Sequence, residues 1–453
     1  MKIKNLIAVS LVWLLACQES MAQKFHVLSQ REQAAVVDQW LDERIETLLP
    51  SLMDRAGIDM WLLISREYNE DPVIRTFLPG TWHAARRRTM LLMYKAPGSN
   101  EVETLAVARY DVGKAFKKAW EPESEPDQWK RLTELIVERN PQKIGINMSK
   151  IYGHADGINL TEYKTLMEYL PQNLHGRVVS ANDLAVGWLE TRSASELATY
   201  RHIQAIANDI IAEGLSEKVI TPGVTTTEDV QWWYRERIKE LKLDTWFHPS
   251  VDIQRADPSN KEGERSFAVK ADADVIMPGD MLHIDFGITY LRLNTDTQQL
   301  AYVLKTGENE VPQYLKDAFK VGNRLQDILT SNFITGRTGN EILRETRKQM
   351  EKEGIRGSIY SHPLGMHGHA SGPTIGMWDN QGDTPGAGDY PLYPNTVYAI
   401  ELNAVVFLKE WNKDFRVMLE EGALFDGEKV VYLNGRQKEI MPIPRPQPHL
   451  LNW

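Results

Sequence analysis

From residue 31 to 56, hydrophobic positions recur at three- and four-residue spacing. Val36, Val37, Trp40, Leu41, Ile45, Leu48, Leu49 and Leu52 fall on one face of a helix. Gly57 ends that pattern, and Asp59-Met60-Trp61-Leu62-Leu63-Ile64 is an apolar run of the length of a buried strand. Thr89–Tyr94 and Thr104–Val107 give two further strands, Asp127–Arg139 a helix, and Lys143-Ile144-Gly145-Ile146 another strand. Such alternation predicts an α/β domain over 27–185. A long helix is predicted over Ala194–Ile211, opening at Ser193 with Glu196 three residues on, the spacing of a capping box. Pro222-Gly223 makes a turn and Thr227–Leu241 a second helix. From Val275 the pattern shifts to strands and hairpins, with one more helix at Asn340–Glu353. Proline at 442, 444, 446 and 448 keeps the tail Met441–His449 extended. No internal repeat and no low-complexity segment interrupts this order.

Composition narrows the classes. The chain has 453 residues, enough for two or three domains with cores of their own, and its 42% hydrophobic content is that of a globular protein. A formal charge of −10 gives no electrostatic reason to bind nucleic acid. The one compact basic cluster, Arg86-Arg87-Arg88, leads straight into the strand at Met90–Tyr94 and reads as a solvated strand entrance. At the start, Lys2 and Lys4 precede the apolar run Leu6–Ala16, too short to span a bilayer, and Ser20-Met21-Ala22 supplies small residues before Gln23. A signal peptide over 1–22 is therefore expected, and an exported protein, periplasmic or secreted. The alternative reads Leu14-Leu15-Ala16-Cys17 as a lipoprotein site, with anchoring through a lipidated Cys17. No other stretch is apolar for long enough to cross a membrane. Cys17 is the only cysteine, which excludes cysteine nucleophiles, thiolate zinc sites and iron–sulfur clusters.

Carboxylates and histidines set inside apolar strands carry the chemistry. In Met281-Leu282-His283-Ile284-Asp285-Phe286, alternation points His283 and Asp285 to one side and Leu282, Ile284 and Phe286 to the core. Asp is depleted in strands and costly to bury without a partner. Asp296 follows eleven positions on, so a hairpin would set the two carboxylates side by side. The segment from His362 to Gly376 holds three histidines, His362, His367 and His369, interleaved with glycines that let backbone approach a ligand closely. Thr396–Leu402 is a strand with Glu401 embedded, and in Phe415–Gly422 Arg416, Met418 and Glu420 share a face. Any one of these reads alone as a surface acid. Together, oxygen-rich ligation with one imidazole suits a pair of Mn, Zn, Co or Fe ions bridged by shared carboxylates.

The order Asp285, Asp296, histidine, Glu401, Glu420 resembles the metal-ligand set of the M24 metallopeptidases, the pita-bread enzymes that include methionine aminopeptidase, Xaa-Pro aminopeptidase and prolidase. Pro278-Gly279-Asp280, Ile284-Asp285-Phe286-Gly287 and Ile400-Glu401 carry the likeness, which covers most of the chain. It implies a mixed α/β (α+β) protein with a creatinase-type N-terminal α/β domain over 27–185 and a pita-bread catalytic domain over 186–445. It implies two divalent metal ions, Mn foremost, held by Asp285, Asp296, Glu401, Glu420 and an imidazole. Gly368-His369-x-x-Gly372 matches the family's Gly-His-x-x-Gly, which makes His369 the implied ligand and His367 the alternative. Glu401 would also serve as base towards the attacking water. Two family histidines that contact substrate or move protons are not matched. Seventeen to eighteen residues before Asp285 the chain has Phe267 and Ala268, beside Ser266, and seven residues after His369 it has Gly376. His283 and His362 are the candidates to replace them, together with His248. The activity implied is an exported exopeptidase acting on short peptides next to proline, with a homodimer expected from the family. A metal-binding protein that has lost catalysis, or a hydrolase of a non-peptide amide or ester, is the alternative.

Overall fold

The computed structural model describes residues 27–257 and 273–446. The signal-peptide and Cys17 readings, and the Ser266–Ala268 window, lie outside them. In the N-terminal lobe, strands β1 (Met60–Arg66), β2 (Arg88–Tyr94), β3 (Glu103–Val107), β4 (Lys117–Lys118), β5 (Ile144–Ile146) and β6 (Val178–Ser180) form one mixed sheet in the order β4-β3-β2-β1-β5-β6. Its apolar faces are covered on both sides, one by Leu132, Leu135 and Ile136 of helix Gln128–Arg139, the other by Leu49, Leu52, Phe77 and Trp188. Sequence and structure part at the first helix. The predicted single helix over 31–56 is two, Gln30–Thr47 and Leu49–Ala56, broken at Leu48. Pro50 has no N–H to give back to the turn before it, so it starts a helix and cannot continue one.

Helix Gln30–Thr47 serves both lobes. Leu41 packs in the N-terminal core, while Val37 and Trp40 enter the core of the second lobe. Its Arg44, 1% exposed, donates to the Thr191 carbonyl at 2.8 Å and pairs with Glu196 at 2.7 Å. Arg192 reaches the same carboxylate from the other side at 3.5 Å. Glu196 also closes the predicted capping box of helix Ala194–Gly214. A buried Arg–Glu–Arg network thus sits where the lobes join.

The second lobe is built on a nine-stranded sheet. Strands β7 (Ser250–Gln254) and β8 (Met281–Phe286) come first, then the short ribbon β9 (Thr289–Tyr290) with β10 (Leu293–Asn294), and β11 (Thr297–Val303). β12 (Arg356–Ile359), β13 (His362–Leu364), the long pair β14 (Thr396–Leu408) and β15 (Lys413–Phe425), β16 (Val430–Tyr432) and β17 (Met441–Ile443) follow. The central order is β12-β14-β15-β11-β8-β7, with β13 on β14, β16 on β15 and β17 on β11. Helices cover one face. Thr227–Glu240 and Gly339–Glu353 were expected, but Gln313–Thr330 falls where strands were predicted. Its apolar stripe, Leu315, Ala318, Phe319, Gly322, Leu325 and Leu329, has helical spacing and packs on β14 and β15. Among the described residues no helix is long and apolar enough to cross a membrane.

Candidate metal centre

Side-chain alternation in four neighbouring strands creates the site. On β8, Leu282, Ile284 and Phe286 pack into the core, as expected, which turns His283 and Asp285 to the opposite face. On β14, Tyr398, Ile400 and Leu402 face the helices, and on β15 so do Phe415, Val417 and Leu419. Glu401 and Glu420 are left on the other face, directly opposite one another in the register. Gln298 on β11 stands opposite Asp285 on one side and Glu420 on the other, and Asp296 immediately precedes that strand. The predicted hairpin therefore forms and brings Asp285 and Asp296 together. Glu421 points away and accepts a hydrogen bond from the Gln437 N–H at 2.7 Å.

The imidazole facing these acids is His362, at the start of β13. Its Nε2 lies 3.7 Å from Asp296, 3.7 Å from Glu420 and 3.8 Å from Glu401. Nδ1 sits 2.9 Å from the Pro363 carbonyl, which holds the proton on that nitrogen and leaves Nε2 as a bare donor of a lone pair. Ser361 accepts from the Glu401 N–H at 2.9 Å and so fixes β13 to β14 beside the site. His369 comes within 4.8 Å of both Asp296 and His362, with its ring edge-on to His362 at 4.7 Å. His367 turns away, stacks on His154 of the N-terminal lobe at 3.9 Å, and joins none of the metal-compatible groups among the described residues. His283 lies behind the acids, 2% exposed, with Nε2 2.9 Å from Gln298 Oε1. The Gln298 amide nitrogen donates in turn to Glu420 at 3.0 Å and to Glu401. His248 lies apart, packed against Trp232 and Arg235.

Electrostatics shows what the site needs. Burial, and then the neighbouring carboxylates, push Asp296, Glu401 and Glu420 well above the usual carboxylate range; burial pushes Asp285 up to about 6. Four acids this close cannot all ionise without cations between them. Three of the inward atoms, Asp285 Oδ1, Glu420 Oε1 and His362 Nε2, are buried with no hydrogen-bond partner in the protein. Three overlapping groups, Asp285-Asp296-Glu420, His362-Glu401-Glu420 and Asp296-His362-His369, each have donor atoms close enough for one ion. The donor set is hard oxygen plus imidazole, so it fits divalent cations. Burial keeps the His362 ring neutral, at a pKa of about 3, in the form that ligates.

A cavity of about 980 Å³ lies between the lobes, and His369, beside the centre, stands on its wall. Arg75, Trp82 and His154 from the N-terminal lobe line it together with Trp246, Arg292 and His367 from the second. Sequence reasoning missed Gln298, Trp246 and His154. Two adjacent glutamines in the buried strand Thr297-Gln298-Gln299-Leu300 were a signal for the first. Trp246 lies flat over Gly368, where a Cβ would come 2.1 Å from the ring, and its N–H donates to the Thr295 carbonyl at 3.0 Å. Nothing local marks Trp246 or His154, because their roles arise only when distant elements meet.

The model of metallopeptidase family M24 matches residues 198–426. Among solved structures, the X-Pro aminopeptidase from Thermotoga maritima superposes with a TM-score of 0.60 at 17% identity, over 86% of this chain and 99% of that one. A Xaa-Pro dipeptidase from Bacillus anthracis gives 0.56 at 17% identity, over 90% of this chain and 99% of that one. A prolidase from Pyrococcus horikoshii gives 0.54 at 14%, over 89% of this chain and all of the other. No curated protein matches the chain in a sequence search. The solved structures establish a shared mixed α/β, pita-bread fold. The family model, which takes in half of the chain and every acid of the centre, adds the lineage: the protein is a metallopeptidase of family M24.

Proposed function

We propose an exported exopeptidase that hydrolyses short peptides next to proline at a centre of two divalent cations, Mn foremost. The observation that carries the reading is the set of four mutually repelling carboxylates, Asp296 and Glu420 buried and Asp285 and Glu401 nearly so, around the unpartnered His362 Nε2, with His369 beside them on the wall of a cavity. Asp285, Asp296, Glu401, Glu420 and His362 would hold the cations. When bound, such ions lower the pKa of a water and polarise a carbonyl.

The protein's own residues do the rest. Glu401 combines a place among the ligands with partial exposure and accepts the proton that the water gives up. His283 and Gln298 hold Glu401 and Glu420 from behind as positioning residues. His369 is exposed on the cavity wall, braced edge-on against Trp246 at 5.0 Å, and presents an imidazole to the substrate. That assignment revises the motif match. His362-Pro-Leu-Gly365 has the same His-x-x-Gly spacing as His369-Ala-Ser-Gly372, and seven residues after His362 stands His369. With His362 as the imidazole ligand, the histidine expected seven positions later is present. General acid–base help of that kind contributes roughly 10²–10⁴-fold. Export rests on the N-terminal pattern and is tested by sequencing the N-terminus of the protein recovered from its host.

The deciding experiment is mass spectrometry of a mixed library of short peptides incubated with Mn-loaded protein, with a chelated control. Chelator-sensitive release next to proline is expected. Metal-loaded protein that cleaves none of the library would overturn the reading and favour hydrolysis of a non-peptide amide or ester.

A further inference from the structure

The arginine cluster read from sequence as a strand entrance is larger in three dimensions. Arg66 at the end of β1 and Arg109 beyond β3 join Arg86, Arg87 and Arg88 around one groove of about 790 Å³ in the N-terminal lobe. Five guanidiniums thus crowd one surface of a chain whose net charge is −10. Two acids offset part of that charge: buried Glu162 pairs with Arg66 at 2.9 Å and Arg88 at 3.1 Å, and Glu67, on the groove wall, accepts from the Arg87 backbone N–H at 3.1 Å. Among the described residues, Arg86, Arg87 and Arg109 have no carboxylate within ion-pair distance, and all three are exposed. The groove is aromatic as well as basic. Arg86 lies over the Trp82 ring at 4.9 Å and Arg109 over Trp120 at 5.7 Å, while Tyr68 and Tyr110 are 87% and 60% exposed. Tyr68 and Arg87 hold left-handed backbone at φ 69° and 52°, a cost that side-chain-bearing residues rarely carry without a compensating use.

Trp82 lines this groove and also the cavity on whose wall His369 stands. Trp82 therefore stands between the two, with the cavity that holds His369 on one side and the arginines on the other. We infer that the groove is a second binding region for substrate, taking the carboxylate-bearing far portion of a peptide whose cleaved end sits at the metal centre. The inference rests on the peptidase reading and adds a preference for peptides that are acidic beyond the first cavity. Planar guanidiniums suit carboxylates, and exposed tyrosine rings give stacking area for an extended chain.

The test uses the full metal-loaded protein and two fluorescent peptides of about ten residues. Both begin Ala-Pro, and one continues with alternating Glu and Ser, the other with Lys and Ser. Affinity is read by anisotropy at low and high salt, alongside hydrolysis of each peptide and of a dipeptide. The wild type is expected to bind the acidic peptide about tenfold more tightly at low salt, with a correspondingly lower KM. High salt should abolish the difference, and so should Arg86→Glu combined with Arg109→Glu. Arg109→Gln, a milder change at an exposed position, should give an intermediate loss. Equal affinity for the two peptides, or a preference that survives the double substitution, would overturn the inference even while both peptides are cleaved. Acidic-peptide binding that needs the arginines but leads to no cleavage would uphold the groove and overturn the peptidase reading. Arginine-dependent binding to phosphatidylglycerol vesicles without any peptide preference would assign the groove to a membrane surface and overturn the inference.

Discussion

At the scale of single residues, the centre is a set of polar groups that are expensive on their own. Asp285, Glu401 and Glu420 were legible in the sequence because an acid in an apolar strand demands a partner, and Asp296 because its spacing sets it across a hairpin from Asp285. Which histidine joins them was not, since two His-x-x-Gly segments lie seven residues apart and only the pairing of β13 with β14 tells them apart. Metal titration of variants checks the assignment. Asp296→Ala and His362→Ala are expected to lose the most affinity, His369→Ala less, and His367→Ala least. An order in which His369→Ala exceeds His362→Ala would restore His369 as the ligand. A second residue-scale expectation concerns Glu190, which burial holds up to about 8 despite Arg55 at 3.4 Å and the Tyr390 hydroxyl at 3.1 Å. Its carboxyl is ionised above about 4.5 in the unfolded chain but keeps its proton to about 8 when folded. The stability it contributes is complete below the lower value and is lost as pH rises through the higher one. From about pH 6 to pH 9, wild-type Tm should fall more than that of Glu190→Gln. Parallel melting curves for the two would show Glu190 to be ionised in the folded state.

At the scale of elements, the acids are only as well placed as the strands that carry them. Helix Gln313–Thr330 lies against β15 through Gly322, where a Cβ would meet Val417 at 2.5 Å and Leu419 at 3.1 Å. Leu419 immediately precedes Glu420 on that strand. Gly322→Ala would gain up to about 1 kcal/mol of helix propensity but lose about 1–3 kcal/mol to overpacking. Net destabilisation is expected, together with weaker metal binding as β15 shifts. Thermal melting and metal titration of this one variant check both. The helix also shows where sequence reading fell short. Its stripe from Leu315 to Leu329 was present, but the surrounding strands and hairpins set the expectation for the whole region. The opposite error occurred at 31–56, where hydrophobic spacing continued through Pro50 although the backbone could not.

At the scale of the molecule, the two lobes are bound by a network that no local pattern announced. Arg44 comes from the first helix, Glu196 and Arg192 from the start of the second lobe, and all three are at most 1% exposed. The capping box around Glu196 was read correctly, yet its carboxylate also neutralises two buried guanidiniums. Glu196→Ala would leave both uncompensated, and a loss of about 3–5 kcal/mol is expected by denaturant titration. Loss no greater than for an exposed helix cap, about 1 kcal/mol, would show the pair to be solvated.

The cavity between the lobes carries one more consequence. Every acid of the centre lies within residues 198–426, but Arg75, Trp82 and His154 on the facing wall all precede that segment. The acids and the wall that faces His369 are thus supplied by different parts of the chain. Excising the N-terminal lobe would take away that wall and, with Val37, Trp40 and Arg44, part of the core and of the buried ion network on which the remaining lobe is built.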